Sequence, residues 1–336
     1  MGRNIQLKKR LLNPRDEFYT RLEDIEKELA YYVDYFKGKT VYCNCDDPCR
    51  SNFVRFFVEN FRKFQLSALI ATGFSKDGTG ILFQMDYSNQ VHSILKSKKN
   101  IRCLKGDGDF RSRECLELLK QADIICTNPP FSLSTSLLQL CFEYQKDFLV
   151  IGNQTLLTTK TGFPWIRDER LYLGYTRPKY FINGYAKNEI KPLGFCVWYT
   201  SFSVQSFQNF TPTCSIEFRK YPRYQNFDAI EVSRLEWLPI DYYGVMGVPI
   251  TYLFYHNPSK YRILGINKKG LFQGQALGSI FMEKYKLQGG KGHYSKNMVS
   301  VYYEEEDGKV VVPFTRVFIQ KIKKRCKKIE NATNLR

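Results

Sequence analysis

Apolar residues recur at spacings of three and four from Asp16 to Phe36. Phe18, Leu22, Ile25, Leu29, Tyr32 and Phe36 share one face of a predicted amphipathic helix. Gly38 is placed to end it, because glycine accepts the left-handed conformation at a helix terminus. Short apolar runs then alternate with helical stretches. Residues 40–44, 66–72, 101–104, 122–127 and 148–151 read as strands. Ser51 opens a helix reaching Phe64, Ser112 caps another reaching Gln121, and a third spans 133–144. Residues 73–90 hold Gly73, Gly78 and Gly80 between apolar stretches, a hairpin or an elaborated loop. Strands alternating with helices predict an α/β fold, a parallel sheet covered by helices on both faces.

Beyond residue 155 the rhythm fails. Scattered Gly and Pro, many Tyr and Phe, and short alternating stretches at 194–203, 230–233 and 299–303 predict a second, irregular β-rich region. The acidic run Glu304 to Asp307 before Gly308 reads as a solvated hairpin turn. The expected organisation is a basic lead-in over 1–15, an α/β domain over 16–160, a β-rich region over 161–315 and a basic tail over 316–336.

Charge narrows the choice of partner. The 336 residues carry 51 Lys and Arg against 33 Asp and Glu, a formal net charge of +18. Residues 1–150 hold 23 basic and 19 acidic side chains, whereas residues 151–336 hold 28 and 14. An excess concentrated in one half points to a polyanion, nucleic acid before anionic membrane. No apolar run is long enough to span a bilayer, and residues 1–10 lack the apolar stretch of a secretory signal. Gln6 stands where a myristoylation signal needs Ser or Thr. A cytoplasmic location follows, with the ten cysteines as reduced thiols. Cys43, Cys45 and Cys49 form a tight cluster, but three thiols without a nearby histidine do not make a closed zinc site, and no metal is expected.

The chemistry concentrates in Asn128-Pro129-Pro130-Phe131, directly after the apolar strand that ends at Thr127. In open α/β sheets ligands bind at the carboxyl edge, where this motif falls. Two prolines remove two backbone donors and fix two φ angles. The Asn128 side chain and the Pro129 carbonyl then form a rigid pair of acceptors suited to an amino group offering two protons. Phe131 adds a ring able to stack on a planar heterocycle. A bare tetrapeptide of this kind also forms an Asx-type turn ending a strand.

The motif resembles the catalytic signature of S-adenosylmethionine-dependent amino-methyltransferases. The chain as a whole is similar to the EcoRI-type adenine-N6 DNA methyltransferases. The likeness runs through residues 16–20, 41–48, 51–53, 106–112, 118–123, 127–132, 228–233 and 241–251, and it thins toward the C-terminus. It implies a Rossmann-like, S-adenosylmethionine-binding sheet plus a target-recognition region. It also implies methyl transfer to a flipped adenine in double-stranded DNA.

Catalysis is expected from Asn128, Pro129, Pro130 and Phe131, and cofactor binding from Tyr19, Thr20, Asp46, Asp109 and Phe110. Phe18 is divided between core and cofactor pocket. Asn44, Asp46 and Asp47 replace the glycines usual after the first strand; Asp46 is the expected acceptor and Asp47 an alternative helix cap. The ribose contact is unassigned. Basic residues Arg316, Lys321, Lys323, Lys324 and Arg325, followed by Lys327 and Lys328, are expected to contact DNA or to form a solvated helix face. A monomer is expected, with a cognate restriction endonuclease in the same system but no stable complex, and with GAATTC as the target that the resemblance suggests. The rival readings are an amino-methyltransferase acting on RNA or protein glutamine, and a non-catalytic DNA-binding protein on a decayed methyltransferase fold.

Overall fold

The first apolar face divides in two in the computed structural model, which describes residues 18–74, 78–89, 100–183, 189–204, 212–268 and 276–323. In chain order the strands are β1 (Phe18–Thr20), β2 (Thr40–Cys43), β3 (Ala68–Gly73), β4 (Ile81–Asp86), β5 (Ile101–Cys103), β6 (Ile124–Thr127), β7 (Asp147–Asn153), β8 (Tyr172–Leu173), β9 (Tyr180–Asn183), β10 (Ile190–Pro192) and β11 (Cys196–Thr200). The helices among them are α1 (Leu22–Leu29), α2 (Val33–Phe36), α3 (Asn52–Glu59), α4 (Arg113–Gln121), α5 (Ser134–Glu143) and α6 (Gly162–Arg167). Ile25, Leu29, Tyr32 and Phe36 are buried as the helical stripe requires. Phe18 leaves that stripe because β1 pairs antiparallel with β9, a partner more than 150 residues away that no local pattern reveals. Gly38 has φ +70°, and its N–H closes onto the Gln65 carbonyl.

Eight strands form one sheet in the order β5-β4-β3-β2-β6-β7-β11-β8. Its centre, β3-β2-β6-β7, is parallel, with Val41 opposite Leu69 on one side and Ile124 on the other. Alternation sends Val41 and Cys43 into an apolar layer with Phe53, Phe57, Ile25 and Leu29 from α1 and α3. Tyr42 points to the opposite face, toward Cys115 of α4. Both faces are therefore covered. From β2 the chain crosses to β3 on one side, and it later returns to β6 on the other. This reversal of strand order lies at the carboxyl ends of β2 and β6, the position where open α/β sheets bind ligands in a crevice.

Two expectations change here. The first compact unit runs to residue 205, not 160. Cys196–Thr200 pairs antiparallel with β7 and then with β8, completing the sheet edge and burying Trp198. Glu28 of α1 further fixes this region. Its fully buried carboxylate accepts hydrogen bonds from Tyr32 Oη, the Tyr175 and Thr176 amides and Thr176 Oγ1 at 2.6–2.8 Å.

The second unit begins near residue 206. It contains β12 (Ile230–Glu231), β13 (Val245–Pro249), β14 (Tyr261–Ile266), β15 (Tyr303–Glu304), β16 (Val310–Val311), β17 (Arg316–Lys321) and α7 (Gly278–Leu287). A four-stranded sheet runs β12-β13-β17-β14, and β15-β16 is a hairpin whose acidic turn closes at Gly308, φ +82°. The expected tail from 316 is thus partly an interior strand. Val317, Phe318 and Ile319 are buried between β13 and β14, and counting charges alone conceals that apolar core. The lead-in 1–15, Lys324 and Arg325 lie outside the described residues. No helix among the described residues is long and apolar enough to cross a membrane.

Candidate active site at the carboxyl edge of the sheet

Strand β6 delivers Asn128 to the crevice, and the prolines turn the chain into a short 3-10 segment over 131–133 that leads into α5. The Asn128 side chain is oriented by one bond: Nδ2 donates to the Phe18 carbonyl at 2.5 Å. This fixes which end of the amide faces the crevice. Oδ1 is buried and has no hydrogen-bond partner among the described residues. Leu133 N–H donates to the Pro130 carbonyl, leaving the Pro129 carbonyl without a donor among the described residues. Two neighbouring acceptors are unfilled where native folds seldom leave any.

Phe131 is half-buried and held by three rings. Phe18 lies nearly parallel to it at 6.3 Å, while Phe181 and Phe195 meet it edge-on at 6.2 and 5.7 Å. Phe18 therefore belongs to this loop's support through both its carbonyl and its ring. Next to it, Thr20 is buried with Oγ1 unpartnered, and its carbonyl accepts from Asn52 Nδ2 at 2.8 Å. Tyr19 lies under the Arg50 guanidinium at 5.1 Å.

The turn after β2 departs from expectation. Asp46 is buried and internally committed: Oδ1 accepts from Ser51 Oγ at 2.6 Å and Oδ2 from Thr127 Oγ1, the hydroxyl next to Asn128 in the chain. Burial pushes this carboxyl up to about 6, against the pull of those hydrogen bonds. With both oxygens already accepting and only 3% of the residue exposed, Asp46 is less open to a cofactor than expected. The unfilled acceptor in the turn is Asn44, buried with Oδ1 unpartnered. The signal for it in the sequence is a polar residue closing an apolar strand at the carboxyl edge. Asp47 accepts from the Cys49 amide, while Ser51 caps α3 through the Phe53 amide at 3.0 Å.

Close backbone approach comes from three glycines elsewhere. A Cβ on Gly108 (φ +82°) would lie 2.6 Å from the Gly73 carbonyl oxygen, and one on Gly73 would lie 2.5 Å from Asp47 Cα. One on Gly80 would lie 2.5 Å from Gly108 N. Beside them, Asp109 accepts from the Arg111 amide and Nε at 2.9 Å and pairs with Nη2. Burial pushes the Asp109 carboxyl up, but Arg111 outweighs it and the net shift is downward. Phe110 is buried, with the Arg111 guanidinium 5.4 Å over its ring. Cys43 sits in the core, its thiol pushed up by burial.

In the second unit the expected DNA contacts diverge. Arg316 is spent on Glu231, bound at 2.7–3.1 Å with the Glu231 side chain fully buried, and it is not an exposed tail cation. Lys321 Nζ donates to the Ile240 carbonyl and lies 5.0 Å from the Tyr243 ring; Lys323 lies 5.8 Å from the same ring. Charge counting missed Arg219 and Arg234, whose guanidiniums lie 3.4 and 4.8 Å from the Trp237 ring centroid. Tyr221 Oη holds the Trp237 carbonyl at 2.6 Å, and Phe218 beside Arg219 is 84% exposed.

Comparison with known proteins agrees with the motif. Residues 6–322 match the family described as adenine-specific methyltransferase EcoRI. The type II methyltransferase M.EcoRI of Escherichia coli is 36% identical over 289 residues, covering 76% of this chain and 88% of that protein. Type II methyltransferases M.MgeORF184P of Mycoplasma genitalium and M.MpnI of Mycoplasma pneumoniae are each 34% identical over 269 residues, covering 74% of this chain and 82% of theirs.

Proposed function

The chain belongs to the adenine-specific methyltransferases of the EcoRI family, and on that premise we propose that Asn128 and Pro129 grip the exocyclic amine of a flipped DNA adenine during methyl transfer. It is a DNA adenine methyltransferase. The observation that carries the catalytic assignment is Asn128 Oδ1, a buried acceptor left empty while its amide nitrogen is pinned to Phe18.

The adenine amine is a poor nucleophile because its lone pair is delocalised into the ring. Accepting one N–H at Asn128 Oδ1 and the other at the Pro129 carbonyl favours the tetrahedral nitrogen whose lone pair can attack. Positive charge grows on that nitrogen as the bond forms, and these fixed dipoles stabilise the transition state more than the ground state. Loss of a proton from the methylated nitrogen then restores neutrality. Phe131, braced by three rings, offers the extruded base a stiff stacking surface, a contact of about 1–3 kcal/mol set against an extrusion cost of a few kcal/mol.

S-adenosylmethionine would supply the activated methyl group. The crevice suits its ammonium and hydroxyl groups, because Asn44 Oδ1 and Thr20 Oγ1 are buried polar atoms without partners. Phe110, Tyr19 and the remaining lone pairs of Asp109 are the other candidates. For DNA the basic second unit offers Lys323, Arg219 and Arg234 beside the Tyr243 and Trp237 rings. Protection of host DNA beside a restriction endonuclease is the biological setting we propose.

The test is transfer of label from S-adenosyl[methyl-3H]methionine to duplex DNA. Label in adenine supports the reading; label only in RNA or protein, or a chain that binds no cofactor, overturns it. Single-molecule sequencing of DNA from expressing cells then gives the methylated motif.

A further inference from the structure

We propose that Asp46 is a positioning residue for methyl transfer, a buried clamp that holds the Thr127–Asn128 corner in register so that Asn128 meets the amine. The inference rests on the assignment of Asn128 above and deepens it.

Two donors from distant segments converge on this carboxylate. Ser51 Oγ comes from the start of α3, while Thr127 Oγ1 comes from the end of β6, about eighty residues later in the chain. The clamp is tied into the sheet at further points. Asp46 N–H donates to the Thr72 carbonyl at 3.0 Å, and Cys45 N–H donates to Thr127 Oγ1 at 3.2 Å. Thr127 Oγ1 is thus donor to Asp46 and acceptor from the neighbouring amide, so its hydroxyl rotor is fixed.

A cofactor ligand at this position needs lone pairs facing the crevice. Asp46 is 3% exposed, with both oxygens engaged. A cap for α3 is not needed either, because Ser51 already accepts from the Phe53 amide. What remains is the joint itself. The Asn128 corner has two tethers with separate tasks: the Phe18 carbonyl sets the rotation of its amide, and Asp46, through Thr127 Oγ1, sets the position of the strand end that carries it. Removing Asp46 leaves the rotation but frees the position, and misplacement near an ångström costs about 100-fold in rate.

Protonation disrupts the same joint. A neutral carboxyl brings its own O–H among the converging Ser51 and Thr127 hydroxyls, so the clamp loses an acceptor as the pH falls. The other titratable groups facing Asp46 are Asp47 and the thiols of Cys43, Cys45 and Cys126. Burial raises those thiols and keeps them neutral, and an Asp47→Asn control separates the remaining carboxylate.

The experiment measures kcat, cofactor affinity with S-adenosylhomocysteine, and duplex affinity for the full chain and six variants, the Asp47→Asn control and Asn128→Ala among them. Asp46→Asn is expected to lower kcat about 100-fold, with both affinities within about threefold of wild type, and to abolish the acid limb of the wild-type kcat profile. Thr127→Val should lose part of that rate, and Asp46→Asn with Thr127→Val should be no worse than Asp46→Asn alone. Thr127→Ser should restore the rate, which a purely volumetric role would not predict.

The clamp is overturned by a cofactor affinity that collapses while kcat recovers at saturation, by additive losses in the double variant, or by an unchanged acid limb in Asp46→Asn. Asn128→Ala with wild-type turnover would remove the underlying assignment, and the clamp with it.

Discussion

Replacing Asn128 by Asp tests the orientation of the amide with a single heavy-atom change. In the native chain Nδ2 donates to the Phe18 carbonyl across 2.5 Å. A carboxylate at 128 would set two oxygen lone pairs against each other there. Burial and the carbonyl dipole both disfavour the charged form, so the introduced carboxyl is pushed above its ordinary range. Its protonated form is nearly isosteric with the amide: the O–H donates to Phe18 and the other oxygen faces the amine. The expected activity of Asn128→Asp, divided by that of wild type, therefore rises as the pH falls, by about tenfold per unit above the new pKa. The division cancels any titration shared by both enzymes, that of Asp46 included. Asn128→Ala has no such recovery. It loses one preoriented acceptor, worth about 100- to 1,000-fold or about 2.7–4 kcal/mol, at every pH. Single-turnover transfer of a tritiated methyl group to a saturating duplex is the assay. A flat ratio, or one climbing with pH as for a newly installed base, would refute the Phe18 tether and the assignment of Oδ1 as acceptor.

Arg316→Ala should destabilise the second unit by about 3–5 kcal/mol, since it strands the buried Glu231 carboxylate; adding Glu231→Gln should return part of the lost melting temperature, and the salt dependence of DNA binding should not change. Gly108→Ala should weaken cofactor binding and lower the melting temperature, because it combines φ +82° with a 2.6 Å approach to the Gly73 oxygen. Gly38→Ala, at φ +70° with nothing within 4 Å, should cost only the backbone strain of about 1–2 kcal/mol and leave cofactor affinity intact. Arg219→Ala and Lys323→Ala should each flatten the log–log salt slope of duplex binding by about 0.9 if each meets one phosphate, and an unchanged slope would remove that face of the second unit from the DNA.

The features legible in the sequence are the local ones. The Ser112 cap forms as read, and the helix opening at Ser51 starts there with Ser51 rather than Asp47 as its cap, since a cap needs only its own first turn. The parallel strands β2, β3, β6 and β7 announce themselves as apolar runs because both faces are buried. Asn128 is legible for the same reason, with strand, prolines and ring all within a few residues. What the sequence concealed depends on distant pairing. Phe18 fits a helical stripe as well as it fits a strand, and only β9 decides between them. The stretch 194–203 looks like the opening of a second region, yet it pairs with β7 to close the first. Arg316 looks like the start of a basic tail until Glu231 is seen beneath it. Asp46 and Asn44 are equally polar and stand two residues apart. Which one keeps a free lone pair depends on Ser51 and Thr127 meeting across the sheet.

That distribution of free lone pairs carries its own energetic argument. Among the described residues five buried side-chain polar atoms lack partners, and three of them are Thr20 Oγ1, Asn44 Oδ1 and Asn128 Oδ1. These three sit at the ends of β1, β2 and β6. Each unsatisfied atom costs the fold about 1–3 kcal/mol, a penalty that folded chains nearly always avoid. The same region also contains a carboxylate bonded at both oxygens, an amide nitrogen pinned at 2.5 Å and a threonine hydroxyl bonded on both sides. Hydrogen-bonding capacity is therefore not scarce there. The groups that fix position there are bonded, while these three buried atoms have no internal partner. A turn rich in glycine would bring the backbone close but could not transmit position from β2 to β6. Here Gly73, Gly80 and Gly108 let neighbouring backbone segments pack closely, and the turn after β2 carries the Asp46 bonds instead. That division would let an edge without the usual glycines serve a donor pocket, with the proposed Asp46 clamp positioning the acceptor loop.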